Sequence, residues 1–160
     1  MIKIFTIGVY NSDEQSYFDK LINSDIDLFL DIRQRRGIRG SQYKYVNSNY
    51  LQARLKELGI EYLYIKELAP TKEIRQKQKD ADKINGETKK LRTVLGSVFA
   101  QEYCKQILET YDMDALVEFL KSHYKKNVVL FCVEEHAAAC HRSLVAKKLA
   151  DKLNTEVINL

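Results

Sequence analysis

Apolar residues along this chain fall into two patterns. Residues 2–9, 26–32, 60–65 and 128–133 hold short runs rich in β-branched and aromatic side chains, as strands buried on both faces do. Between them the apolar positions recur at helical spacing. Tyr17, Phe18, Leu21 and Ile22 follow the cap-and-acid stretch Asn11-Ser12-Asp13-Glu14, so a first helix starts there. Leu51, Leu55 and Leu58 predict a second, with Gly59 placed to end it. Two more are predicted over 95–110 and 113–123. Leu144, Val145, Leu149 and Leu153 give a last helix before a short strand at 156–160.

Strands alternating with helices imply a parallel sheet, because parallel neighbours need crossover connections and these are usually helices. The expected fold is α/β: a single three-layer, Rossmann-like domain over residues 1–160, its mostly parallel sheet of about five strands carrying helices on both faces. Right-handed crossovers bring the strand ends to one edge, which gathers Gly8, Arg33, Ala69 and Cys132 there. With the first and fourth strands central, a switch-point crevice is expected between Gly8 and Cys132. Residues 71–92, rich in Lys, Gln, Asp and Glu with few apolar anchors, read as an exposed or mobile excursion. No internal repeat or low-complexity tract interrupts the chain.

Composition narrows the class. With 45% of its residues apolar, 30% charged and a single proline, the chain reads as globular rather than disordered or fibrous. No run approaches a membrane span and the first residues lack a signal-peptide layout, so a cytoplasmic protein with no membrane partner is expected. Three cysteines, an odd number, argue against a disulfide framework. Cys104, among Phe99, Tyr103, Ile107 and Leu108, reads as a helix-packing residue. The formal charge of +4 is compatible with a phosphate-bearing partner without requiring one.

Chemistry concentrates where the fourth strand passes into the last helix. Cys132, Glu134, Cys140, His141, Arg142 and Ser143 lie in or beside that loop, at the sheet edge where α/β proteins bind ligands. A helix N-terminus and the neighbouring Arg142 favour a thiolate, so Cys132 or Cys140 is a candidate nucleophile or redox centre. The spacing is not that of a phosphatase loop, since the sixth residue after Cys132 is Ala138 and Arg142 lies ten residues on. Nor does Cys-x7-Cys-His match a standard zinc finger or ribbon. Adding His136 completes four ligands on paper, but four from one short turn would crowd the strand end, and no metal is expected. Against these stands plain packing, with Cys132 closing a strand and His141-Arg142 clasping a helix start.

A second constellation is Arg33, Arg35, Arg36, Arg39 and Lys44, interleaved with Gly37, Gly40, Ser41, Tyr43 and Tyr45. Guanidinium forks hold phosphate bidentately, glycines let backbone approach a ligand, and tyrosines offer stacking faces. Its bland counterpart is a solvated basic loop with Arg33 paired to Asp31 or Glu134. Gly8 is no dinucleotide fingerprint, which needs further glycines; it reads as a turn glycine that could also admit a ligand.

Several of these segments together resemble the DUF488 family of α/β proteins. The likeness is carried by Thr6-Ile7-Gly8, Asp31-Ile32-Arg33, Gly59-Ile60-Glu61-Tyr62, Cys132-Val133-Glu134 and Cys140-His141-Arg142-Ser143. Arg36-Gly37-Ile38-Arg39-Gly40-Ser41 and Glu67-Leu68-Ala69-Pro70 look like one branch of it. Many relatives carry His where this chain has Val9, and a proline where it has Gln34-Arg35-Arg36, so a mechanism built on a first-loop histidine does not carry over. The resemblance implies the fold and a shared polar cleft, and leaves the reaction to the site.

The leading expectation is an enzyme acting on a phosphorylated, nucleotide-like or nucleic-acid substrate. Cys132, Glu134, Cys140 and His141 are its candidate catalytic residues, as nucleophile or redox centre, general acid or base, and proton shuttle. Gly8, Arg33, Arg36, Arg39, Tyr43, Arg142 and Ser143 are candidates for holding the substrate. The alternative is a non-catalytic nucleic-acid or partner-binding module using residues 33–45 and 72–92 as one basic surface. Neither a cofactor nor an oligomeric state is read from the sequence.

Overall fold

Five parallel strands form one sheet in the computed structural model, in the order β3-β2-β4-β1-β5, and the structure describes residues 1–86 and 93–160. The strands are β1 (Lys3–Ile7), β2 (Leu28–Asp31), β3 (Glu61–Tyr64), β4 (Asn127–Phe131) and β5 (Val157–Asn159). The helices are α1 (Glu14–Asn23), α2 (Ser48–Glu57), α3 (Lys72–Asn85), α4 (Ser97–Tyr103), α5 (Met113–Ser122) and α6 (His141–Leu153). The expected parallel α/β sheet with helices on both faces is therefore present. No described helix is long and apolar enough to cross a membrane.

Alternation along β4 explains the two cores. Val128 and Leu130 turn to one face, with Ile4, Leu28, Leu30 and Ile32, under α3 to α6. Val129 and Phe131 turn to the other, with Phe5, Ile7 and Phe29, under α1 and α2. Because both faces are covered, the strands read as unbroken apolar runs rather than alternating ones.

Local chemistry sets the helix ends. Asp13 and Ser16 form a reciprocal capping box at α1, with Ser16 N donating to Asp13 Oδ1 at 2.8 Å. The helix expected over 95–110 begins as α at Ser97 and finishes as a π turn over residues 104–108. Its start is fixed from outside. Gln78 of α3 is buried and its Oε1 accepts from Phe99 N at 2.9 Å, while a Cβ on Gly96 would lie 2.2 Å from that oxygen.

The excursion expected at 71–92 contains α3, capped by Thr71 and ended by left-handed Gly86. Ile74 and Gln78 tie it to the body of the protein while most of its remaining side chains are exposed. The rest of that excursion, residues 87–92, lies outside the described residues.

Candidate functional site

β4 is flanked by β1 and β2, whose following helices α1 and α2 pack on one face, whereas the helix after β4 packs on the other. Such a reversal is a topological switch point. Register pairs Asp31 and Ile7 with Phe131, so Gly8, Arg33 and Cys132 all follow on one rim, as expected.

The crevice at that rim is occupied by the protein's own loop. Val9 N and Tyr10 N both donate to Val133 O at 3.1 Å. A Cβ on Gly8 would sit 2.0 Å from the Glu134 carbonyl oxygen and 3.1 Å from Arg142 Nη2. Gly8 thus allows one backbone segment to lie directly against another. Arg142, 2% exposed, reaches from the first turn of α6 and donates Nη1 to Glu134 O at 2.5 Å and Nη2 to Glu135 O at 3.0 Å. Its Nε has no partner among the described residues.

Beneath this clasp three reactive groups meet. Cys132 leaves the end of β4, Cys140 caps α6, and His141 is its first residue; their ligand atoms all lie within 4.8 Å of one another. All three are buried. His141 Nε2 contacts Ile32 O at 3.0 Å, which leaves Nδ1 facing Cys140 Sγ at 3.7 Å. Since a carbonyl only accepts, Nε2 carries the proton of that contact. Tyr103 packs its ring 5.3 Å from the imidazole and donates its hydroxyl to Leu68 O.

The two thiols are driven apart. Burial opposes ionisation of Cys140, but a hydrogen bond from Cys132 and the charges of His141 and Arg142 outweigh it and hold this thiol well below its usual range. That same hydrogen bond, together with burial, pushes Cys132 well up. Of the two, Cys140 is therefore the more acidic thiol.

The basic residues sit differently. Asp31, fully buried, accepts Arg33 Nε on Oδ1 at 2.9 Å, Arg33 Nη2 on Oδ2 at 2.7 Å, and the Tyr62 hydroxyl at 2.8 Å. Arg36 in turn stacks on Tyr64 at 4.2 Å and hydrogen-bonds Tyr62. The Arg33 guanidinium lies 4.5 Å over Phe131, whose ring belongs to the α1/α2 face. Strand alternation therefore sends Arg33 and Cys132 to opposite faces of the same rim. Arg33 Nη1 and the Tyr17 hydroxyl, both buried, have no partner among the described residues. Burial, with the charges of Arg33 and Arg142 acting against it, raises Tyr17 well above a phenol's usual range.

The remaining candidates divide by location. Ser143 Oγ donates to Cys140 O at 2.8 Å, closing the helix start. Tyr43 Oη accepts from Asn11 N at 3.0 Å and ties the basic loop to the end of β1. Arg39 is exposed, Glu134 is half-buried on the clasped loop, and His136 is exposed and outside the thiol cluster. Tyr17, Tyr62 and Tyr103 were not among the sequence candidates. A phenol on a strand or helix gives no sign of whether its hydroxyl is solvated or buried, though the pairing of Phe29 with Tyr62 puts Tyr62 on the side of the sheet that holds Asp31.

Two surface hollows, of about 530 and about 310 Å³, open elsewhere, beside Lys56, Gly59 and Tyr62 and beside Glu14, Phe18 and Arg54. Neither includes the thiol cluster.

Fold and site together define a parallel α/β protein with a buried two-thiol, one-imidazole cluster at the end of its central strand. A separate carboxylate-guanidinium pair lies across the sheet from that cluster. The chain belongs to the DUF488 family, a domain of unknown function, whose sequence profile matches residues 14–149. That span takes in Asp31, Arg33 and the thiol cluster and begins after β1. No curated protein and no solved structure matches the chain.

Proposed function

We propose that the protein is an enzyme whose reactive centre is the Cys132, Cys140 and His141 cluster. Its substrate would be phosphate-bearing, either nucleotide-like or nucleic acid. The supporting observation is the convergence itself: groups from a strand end and a helix start come within 4.8 Å of one another at the switch point. Packing alone does not call for two thiols and a ring beside a buried guanidinium.

The unsatisfied donors support an anionic substrate. Arg33 Nη1, Arg142 Nε and the Tyr17 hydroxyl are buried without a partner among the described residues, and such donors suit phosphate oxygens. Arg36 and Arg39 would extend the contact over the rim, and Glu134 would serve as general acid or base. Because Cys132 and Cys140 are 5% and 2% exposed, turnover requires the 133–139 loop to lift.

Inorganic phosphate, pyrophosphate, nucleoside phosphates and single-stranded oligonucleotides are the probes, read by calorimetry and by mass spectrometry of products. At least one should bind and be converted. Arg36→Gln should weaken binding about tenfold, as loss of one charge-assisted hydrogen bond does, and Cys140→Ser should bind but not turn over. Absence of binding by every probe overturns the proposal. So does salt-sensitive binding without turnover that is indifferent to loss of both cysteines, the behaviour of a non-catalytic nucleic-acid module.

A further inference from the structure

We propose that Cys132, Cys140 and His141 are three ligands of one transition-metal ion, zinc by their chemistry, with a fourth position left for water or substrate. This rests on the same cluster as the proposed reactive centre and names the ion that would occupy it.

Bond lengths make the case. With zinc-sulfur bonds of about 2.3 Å and zinc-nitrogen bonds of about 2.0–2.1 Å, a tetrahedral ion holds sulfur and nitrogen about 3.6 Å apart and two sulfurs about 3.8 Å apart. Cys140 Sγ and His141 Nδ1 are 3.7 Å apart, and no pair in the cluster exceeds 4.8 Å. The three atoms therefore need little movement to close on an ion.

The ring is already oriented for it. A metal-ligating histidine usually gives its other nitrogen to a carbonyl or carboxylate, which fixes the ring and the free lone pair. Here Ile32 O holds Nε2 at 3.0 Å and Nδ1 points at the cysteines. Ile32 continues β2, so the outer contact comes from the neighbouring strand.

Three ligands also avoid the crowding that four from one turn would bring. Cys132 belongs to the strand end and Cys140 with His141 to the helix start, joined through a 3-10 turn at Ala137–Ala139. His136 stays outside, its side chain 60% exposed. Among the described residues no further Cys, His, Asp or Glu joins the three. Three protein ligands and one open position are the pattern of a catalytic rather than a structural zinc, and two thiolates with an imidazole select zinc over magnesium or calcium.

The test is a titration of cobalt(II) into the full-length protein, stripped of metal and kept reduced, followed by absorbance. One cobalt per chain should bind and give thiolate-to-cobalt charge transfer with the visible bands of a four-coordinate ion; zinc should displace it and bleach both. Cys132→Ser and Cys140→Ser should each lose charge-transfer intensity, His141→Gln should weaken binding, and His136→Ala should leave the spectrum unchanged. Circular dichroism on every variant separates lost ligation from lost fold. Folded, reduced wild-type protein without charge transfer overturns the inference, as do bands that persist when both cysteines are replaced. Anion binding measured on the metal-free protein reports on the proposed substrate class separately, so either idea can fail alone.

Discussion

Arg33 folds back onto Asp31, two residues earlier, through two parallel contacts of 2.9 and 2.7 Å, and Phe131 covers its guanidinium from 4.5 Å. Both partners are almost fully buried. Removing one alone leaves a charge in the interior, so Arg33→Met should cost about 3–5 kcal/mol in urea unfolding. Asp31→Leu combined with Arg33→Met should recover much of that loss. Equal losses for the single and double variants would mean the pair is not coupled.

Gly8 tests how tightly the first loop lies against the clasped loop. A Cβ there would meet the Glu134 carbonyl at 2.0 Å, and backbone is the neighbour least able to give way. Gly8→Ala should destabilise by at least about 1–3 kcal/mol, the usual cost of overpacking. Protease cleavage within 133–139 should quicken with it. An unchanged melting temperature would show that the two loops are not in contact.

Arg142 holds two carbonyls of the same loop. Arg142→Met should cost about 1–3 kcal/mol in all, since the two carbonyls it releases are only part-buried. Arg142→Lys, which keeps a charged donor nitrogen, should cost less. Hydrogen exchange should rise at residues 133–136 and not at β2 or β3.

Tyrosines give the pH dependence. Burial, opposed by the hydrogen bond to Arg36 and reinforced by the charge and hydrogen bond of Asp31, pushes Tyr62 up to about 12, and burial also raises Tyr17 and Tyr103. A raised folded-state value favours the protonated phenol in the native protein. Its stabilising effect is therefore full below the unfolded phenol's value near 10 and is lost as pH climbs through about 12. Tyrosinate absorbance followed from pH 9 to 13 should rise in part with the loss of far-ultraviolet dichroism, and Tyr62→Phe should reduce the fall in stability over that window.

The sheet was legible because both of its faces are covered: each strand is a short apolar run, and helical spacing between runs forces parallel crossovers. The shared rim of Gly8, Arg33 and Cys132 followed from topology. What topology does not settle is which face each rim residue takes. Arg33 and Cys132 each sit just past a strand end, where one residue of register reverses the side. Asp31 was visible as an option for Arg33, since residues two apart share a face. The closeness of Cys132 to Cys140 was hidden, because seven intervening positions can loop in many ways until Arg142 ties the loop down.

In the proposed function, thiols and anion-binding donors serve one site although they lie on opposite faces of the rim. Alkylation of Cys132 and Cys140 by iodoacetamide, quantified by peptide mass spectrometry with and without pyrophosphate, is the measurement that decides it. The expected result is that pyrophosphate slows alkylation several-fold in the wild-type protein and has little effect on Arg36→Gln. Identical wild-type rates with and without the anion would contradict it.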